Sequence, residues 1–244
     1  LFTPSSQVML VIFVPHVNEL LNNYLHIIAL YFPLGVIGIW RWTVWILKKS
    51  IALHYKPIKS NGHDATLSVV TPVYNENPKL FREALESWKQ NKPEEIIAIV
   101  DYSDKVCIKE FQYFSKTFEN AKLIITENPG KRPALADGVK IAISEIVALV
   151  DSDTIWDKDI RKIMLAPFSD SCVGGVGTRQ DVLETDTLAK RLFNIHLDNR
   201  YFDEMPFIAK SGDALTCLSG RTALYRRKAI INLVDDMVNE TFWG

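Results

Sequence analysis

The sequence has few cysteines and lacks a clustered metal-binding pattern. Cys107, Cys172 and Cys217 are far apart, and no Cys-x-x-Cys or Cys/His cluster occurs among the 244 residues. An odd number of scattered cysteines argues against a disulfide framework and against a structural zinc site. We therefore expect a reducing, cytosolic environment for these thiols.

The chain also lacks an excess of positive charge. It carries 28 Lys and Arg against 29 Asp and Glu, and no basic stripe alternates with aromatic residues. Sequence-independent binding to a phosphate backbone depends on such charge, so we expect no nucleic-acid partner. With 48% hydrophobic and 23% charged residues, the composition predicts a globular protein of one or two domains.

Charged residues are missing from a long N-terminal stretch. No Asp, Glu, Lys or Arg occurs between positions 20 and 40, and we predict a transmembrane helix at about residues 25–47. Tryptophans followed by Lys48 and Lys49 predict a cytosolic domain after this helix, at the plasma membrane. The apolar run 8–14 is interpreted as the end of an earlier transmembrane helix. A buried soluble helix and a signal peptide are the alternatives for this part of the chain.

The rest of the chain alternates between two kinds of pattern. After a membrane segment at residues 1–56, residues 66–244 show short β-branched, apolar runs separated by stretches of helical periodicity. Such alternation predicts an α/β domain with a mostly parallel sheet flanked by helices. The predicted strands are 67–73, 95–100, 122–126 and 146–150, followed by a long helix at 185–205 and a hairpin at 215–227 with its turn at Ser219 and Gly220.

Polar residues follow each predicted strand. Asp151 and Asp153, spaced one residue apart, come directly after the wholly apolar run 146–150. Because α/β proteins bind ligands at the carboxyl ends of their parallel strands, such a pair can hold a divalent cation against a diphosphate. An isolated Asp-x-Asp is more often a turn or a helix cap, and a cation site is expected here because several strand ends meet at one edge. The side chains expected there are Tyr74, Glu76, Asp101, Lys131, Arg132, Asp151 and Asp153.

Other features of these segments have two interpretations. Asp101 suits either a ligand contact or a turn, and Lys131 suits either a phosphate or a solvated loop. The glycines of residues 174–177 predict a close approach of the backbone to a ligand or to a neighbouring strand.

The order of these motifs resembles the family 2 glycosyltransferases, and among them the membrane-embedded hyaluronan synthases and their relatives, the chitin and cellulose synthases. The resemblance covers about residues 66–244 and implies a GT-A fold, a Rossmann-like α/β architecture. The segments that carry it are Thr-Pro-Val-Tyr-Asn-Glu76, Val-Asp101, Gly-Lys-Arg132, Val-Asp-Ser-Asp-Thr154, Gly-Gly-Val-Gly-Thr178 and Cys-Leu-Ser-Gly-Arg221.

The resemblance implies an inverting enzyme that transfers a sugar from a UDP-sugar to a growing polysaccharide, with Mg or Mn as cofactor and a lipid bilayer around its membrane segment. It assigns uridine to Tyr74, Glu76 and Asp101. The same resemblance implies that Lys131 contacts the nucleotide near its diphosphate, that Asp151 contacts the sugar nucleotide and that Asp153 binds the metal. The acceptor side of the pocket is assigned to Cys217, Ser219, Gly220 and Arg221.

One feature of that family does not occur in the sequence. The family's Gly-Asp-Asp or Thr-Glu-Asp motif, which carries the catalytic base, and its Gln-x-x-Arg-Trp helix are missing. Residues 240–244 resemble the lead-in to the base motif, so we expect the base beyond Gly244 and an inactive fragment without it. A polyprenyl-phosphate glycosyltransferase and a non-catalytic nucleotide-binding membrane protein are the alternatives.

Overall fold

The computed structural model describes residues 4–128, 130–212, 215 and 217–240, with side chains described from residue 22 onward except at 23, 30, 33 and 34. The chain divides into two compact units. One contains the N-terminal helix and the helices between Thr187 and Gly212. The other contains the remaining described residues and the sheet.

The second unit is built on a six-stranded sheet. Its strands are β1 (Leu67–Val73), β2 (Glu95–Asp101), β3 (Ala121–Thr126), β4 (Ile146–Val150), β5 (Gly175–Gly177) and β6 (Thr222–Arg226). They lie in the order β3-β2-β1-β4-β6-β5. The first four strands in this order are parallel, whereas β6 is antiparallel to both β4 and β5. Strands β1, β2 and β4 are almost entirely buried, as expected for parallel strands covered on both faces.

Helices pack against the two faces of this sheet. The described helices of this unit are α2 (Pro78–Gln90), α3 (Lys105–Phe114), α4 (Lys131–Ile141), α5 (Ile160–Leu165), α8 (Arg227–Ile230) and α9 (Val234–Asn239). Consecutive residues of β1 point to opposite faces, so Val69 and Val70 belong to separate apolar clusters. Helices α2 and α3 contribute to the Val69 cluster, and α4 and α9 to the Val70 cluster.

The first unit is helical in its described part. Its helices are α1 (Pro4–Ala52), α6 (Leu188–Asn199) and α7 (Met205–Gly212), and a π-helical segment, Arg200–Glu204, joins the last two. Lys49 of α1 forms an ion pair with Asp203 of the π-helical segment. Helices α6 and α7 fall within the range 66–244 that the sequence predicts to be one domain, but they group with α1 in this division.

The structure has a helix across residues 25–47 but does not confirm that this helix is transmembrane. Among the helices that can be judged from described residues, none combines the length and the apolar character needed to cross a bilayer. The second predicted membrane run, residues 8–14, lies within α1 but outside the residues whose side chains are described.

The predicted strands agree closely with the observed ones in the parallel part of the sheet. The ranges of β1 and β4 are as predicted, and β2 and β3 are each one residue longer. The predicted hairpin at 215–227 is wrong, because β6 pairs with β4 and β5 instead of with the chain just before it. The predicted helix at 185–205 begins later, at Leu188, where the side chain of Thr187 accepts a hydrogen bond from the amide of Lys190.

Gly138 is a position where α4 packs closely against the sheet. A Cβ at this position would lie 2.2 Å from Cγ1 of Val70 and 2.8 Å from Cδ1 of Ile99. Helix propensity favours Ala over Gly by about 1 kcal/mol, but overpacking of a core typically costs about 1–3 kcal/mol. At these distances the clash should dominate, and we expect Gly138→Ala to lower the free energy of unfolding by at least about 1 kcal/mol.

Chemical denaturation would measure this change. Gly174→Ala is the matched control, because a Cβ there would have no atom within 4 Å. Equal stabilities of the Gly138→Ala variant and the wild type would contradict the close packing of α4 on β1 and β2.

Candidate active site

A cavity of about 740 Å³ lies at the carboxyl ends of β1, β2 and β4. The register of these strands places their ends side by side, so residues distant along the chain meet there. The structure brings together all six residues predicted for the nucleotide and the metal, and their individual roles remain predictions. The six cavity residues are Tyr74, Glu76, Asp101, Lys131, Asp151 and Asp153.

Negative charge is concentrated on one side of the cavity. Partial burial of the carboxyl group, followed by the charges of Glu76 and Asp151, raises the pKa of Asp153 above its usual range. Lys131 forms an ion pair with Asp151. A cation beside Asp153 would therefore be stabilised by its neighbours.

These carboxylates fit a metal that is shared with a phosphate ligand. No group of three or more His, Cys, Asp and Glu side chains that could hold a metal occurs within the described residues. Mg²⁺ in nucleotide sites is commonly held by one or two carboxylates together with substrate phosphates and water. Asp153, with Asp151 beside it, suits that mode of binding.

The carboxylate of Glu76 is held by its surroundings. Oε2 accepts a hydrogen bond from Ser152 Oγ at 2.7 Å, and Oε1 accepts one from the amide of Asn77 at 2.8 Å. The amide of Glu76 donates to Asp104 Oδ2 at 3.3 Å. The buried Cys107 thiol, whose pKa burial raises to about 12, donates to the Glu76 carbonyl at 3.6 Å. This role of Ser152 was not predicted from the sequence, where its place between two aspartates is the one available signal.

Asp101 and two tyrosines form another part of the cavity wall. Asp101 Oδ1 accepts hydrogen bonds from the amide and the hydroxyl of Ser103, which lower the pKa of the Asp101 carboxyl and keep it ionised. This is a turn interaction, yet the same carboxylate lines the cavity. Tyr74 is 73% exposed and Tyr102 is 50% exposed, so both rings offer surface on which a nucleobase could stack.

The N-terminus of α4 also lies at the cavity. Gly130, just before the helix, has φ +120°, a conformation that favours glycine. No side chain among the described residues caps this helix end, and Gly130, Lys131 and Ala134 line the cavity. A helix N-terminus carries partial positive charge, so it adds to the charge of Lys131 as a place for phosphate. Arg132 does not line the cavity, and its side chain donates to the carbonyl of Glu240.

The four residues predicted for the acceptor side do not line the cavity as the described residues define it. Two of them are next to it: the Asp151 amide donates to the Arg221 carbonyl at 3.1 Å, and a Cβ on Gly220 would lie 3.5 Å from Lys131 Nζ. Ser219 is hydrogen-bonded to Gln180. Cys217 is exposed, and its thiol donates to the Leu218 carbonyl.

Of the two interpretations of the glycine-rich segment, the structure favours a close approach to neighbouring residues. A Cβ on Gly175 would lie 3.0 Å from Leu218 Cδ1 and 3.1 Å from the ring of Tyr225. Glycine at position 175 is therefore explained by the packing of β5 against Tyr225 of β6 and against Leu218, which lies before β6.

Comparisons of the sequence with known proteins agree with one another. The model of the family described as "Glycosyl transferase family 2" matches residues 68–234, more than half of the chain. Hyaluronan synthase from Streptococcus pyogenes serotype M3 is 30% identical over 220 residues, which cover 86% of this chain and 52% of that protein. A type 2 glycosyltransferase from Pyricularia oryzae is 28% identical over 198 residues, covering 77% of this chain and 40% of that protein.

Comparison of structures supports the same fold. A mannosyltransferase from Pyrobaculum calidifontis, solved in complex with GDP-Man and Mn²⁺, superposes with a TM-score of 0.60 at 20% identity, covering 84% of this chain and 55% of that chain. The GT-A-like α/β architecture implied by the sequence motifs is thus confirmed. The chain spans about half the length of the Streptococcus pyogenes relative. It belongs to glycosyl transferase family 2.

Proposed function

We propose that this chain forms the donor-binding part of a hyaluronan synthase-like enzyme, which transfers a sugar from a UDP-sugar to a growing polysaccharide with inversion and with Mg or Mn as cofactor. The observation that carries the proposal is the meeting of Lys131 with Glu76, Asp151 and Asp153 in one cavity. The family membership supports sugar transfer, and the relatives' names support a polysaccharide product. The Pyrobaculum mannosyltransferase is a protein of this fold that binds a nucleotide sugar and Mn²⁺.

In this proposal different residues of the cavity bind the uridine, the diphosphate, and the sugar nucleotide with its metal. The exposed ring of Tyr74, the ionised carboxylate of Asp101 and Glu76, whose carboxylate accepts a hydrogen bond from Ser152, bind the uridine. Lys131 and the N-terminus of α4 bind the diphosphate. Asp151 contacts the sugar nucleotide and Asp153 holds the metal.

The proposed reaction is one displacement at the anomeric carbon. A bound Mg²⁺ or Mn²⁺ would supply positive charge to the departing diphosphate. Lys131 adds charge at the same place, which favours cleavage of the bond between the sugar and the phosphate oxygen. The acceptor oxygen forms the new bond from the opposite face, and its proton passes to a general base.

Transfer by the full-length protein tests the proposal and separates it from the alternatives. With labelled UDP-sugars and Mn²⁺, we expect label in a high-molecular-weight polysaccharide and loss of that product with a chelator. Label in an organic-solvent extract would instead support a polyprenyl-phosphate acceptor. Binding of UDP without transfer of any sugar would support the non-catalytic alternative.

We also propose a lipid bilayer as the partner of α1. Trp40 and Trp42 are 67% and 65% exposed, and Ile39, directly before Trp40, is 70% exposed. Exposed apolar surface of this extent marks an interaction site, and tryptophans followed by Lys48 and Lys49 suit a membrane interface.

Flotation with liposomes that contain anionic lipid would test this partner. We expect the full-length protein to float. A triple variant with Ile39→Ser, Trp40→Ser and Trp42→Ser should have a smaller floating fraction, because it loses apolar side chains that are buried in the bilayer. Tyr113→Ser, at a 66% exposed aromatic residue of α3, is the control and should float like the wild type. Equal flotation of the triple variant and the wild type would contradict the proposal.

A further inference from the structure

Gln180 is a buried polar residue in the segment after β5, and it does not line the cavity. Its side chain is 9% exposed, and its Oε1 accepts hydrogen bonds from Ser219 Oγ at 2.8 Å and from Arg221 Nη1 at 3.3 Å. A side-chain amide oxygen has two lone pairs, so it can accept both bonds. One atom thus connects the two residues on either side of Gly220.

The other side of the Ser219–Arg221 turn faces the proposed catalytic residues. The Arg221 carbonyl accepts the amide of Asp151, the residue that pairs with Lys131. A Cβ on Gly220 would come within 3.5 Å of Lys131 Nζ, so the turn backbone lies directly beside this ammonium group. The contacts therefore run from Gln180 through the turn to Asp151 and Lys131.

We propose that Gln180 is a positioning residue, which holds the Ser219–Arg221 turn against Asp151 and Lys131 and so fixes the acceptor side of the site. The proposal rests on the proposed function for its effect on sugar transfer, whereas its structural part is independent of any activity. Gln180 acts through the turn, because the cavity wall does not include it.

Three substitutions separate the hydrogen-bond acceptor from the volume of the side chain. Gln180→Leu has a similar size but accepts no hydrogen bond, so it removes the contacts that the half-buried Ser219 and Arg221 side chains make with Gln180. Gln180→Glu keeps an acceptor at the same reach and strengthens the bond to Arg221 by charge. Gln180→Asn keeps the amide but is one methylene shorter. Gln112→Leu, at an exposed residue of α3, is the matched control.

Hydrogen exchange tests the structural part without any need for activity. In Gln180→Leu the amide of Asp151, which donates to the Arg221 carbonyl, should exchange at least about tenfold faster than in the wild type, because the turn opens locally. Gln180→Glu and Gln112→Leu should keep the wild-type protection. Unchanged protection in Gln180→Leu would overturn the proposal, whether or not the wild type transfers sugar.

Kinetics of the full-length protein test the effect on the site. We expect Gln180→Leu and Gln180→Asn to lower kcat by about tenfold or more, since a misplaced turn disturbs the reacting geometry. Affinity for UDP with Mn²⁺ should fall much less than kcat, because the proposed uridine contacts, Tyr74 and Asp101, lie at the ends of β1 and β2 and not in the turn, and Gln180→Glu should keep the wild-type kcat. A loss of UDP affinity equal to the loss of kcat, or no rescue by Glu, would overturn the positioning role. If exchange is faster in Gln180→Leu but the wild type transfers no sugar, the proposed function is rejected and the structural role of Gln180 is retained.

Discussion

Replacing Asp153 with Asn should abolish metal-dependent nucleotide binding and lower the rate of sugar transfer by about a thousandfold. Mg²⁺ and Mn²⁺ prefer charged oxygen ligands, and a neutral amide gives up the charge that attracts them. Removal of one group that stabilises charge in the transition state commonly costs two to three powers of ten, and loss of the metal removes more than one such interaction.

Without metal, the same substitution should slightly stabilise the folded protein. Because the pKa of Asp153 is raised in the folded protein, the folded state binds more protons than the unfolded state between the ordinary Asp pKa and the raised value. Stability contributed by this group is therefore present at low pH and is lost as the pH rises through that window. Above it, Asp153→Asn removes an unfavourable charge, and the metal-free variant should melt slightly higher than the wild type.

Thermal melts and UDP titrations, each with Mn²⁺ and with chelator, would measure both effects. Mn²⁺ should raise the melting temperature of the wild type and leave that of Asp153→Asn unchanged. Asp157→Asn, at an exposed aspartate a few residues later, is the control and should respond to Mn²⁺ like the wild type. An undiminished Mn²⁺ response in Asp153→Asn would show that the metal, if it binds, is held elsewhere.

The parallel part of the fold was predictable because its signal is local. In β4 an uninterrupted apolar run, Ile146–Val150, is followed by Asp151. The apolar run predicts burial on both faces, and the aspartate predicts where the strand ends. The meeting of Asp151 with Lys131 followed from the alternation of strands and helices, since parallel strands direct all their carboxyl ends to one edge.

The remaining part could not be predicted because it depends on pairing between distant segments. The residues before β6 have the turn and the flanking apolar residues of a hairpin, but Thr222 pairs with Val150 in β4 and Ala223 pairs with Gly177 in β5. Tertiary pairing outweighs a local turn signal in this case. Gln180 likewise has no sequence signal, because its role arises from the two donors that the fold brings to it.

Lys131 is the second residue at which we expect a large effect. It lies at the first turn of α4, where its charge adds to the positive end of the helix, and its ammonium group pairs with Asp151 at the cavity. Lys131→Met keeps the length of the side chain and removes the charge. We expect the rate of transfer to fall by about a hundredfold or more, because charge that develops on the departing diphosphate loses a nearby cation.

A comparison of UDP binding with UMP binding tests whether Lys131 contacts the diphosphate. If Lys131 contacts the diphosphate, Lys131→Met should weaken UDP binding by about tenfold or more and change UMP binding much less, because UMP lacks the second phosphate. Lys131→Arg keeps the charge and should retain much of the UDP affinity. Lys116→Met, at an exposed lysine beyond α3, controls for the loss of one positive charge from the protein and should bind both nucleotides like the wild type. Equal weakening of UDP and UMP by Lys131→Met would place the ammonium group near the nucleoside or in a structural role, since a contact with the second phosphate must distinguish the two ligands.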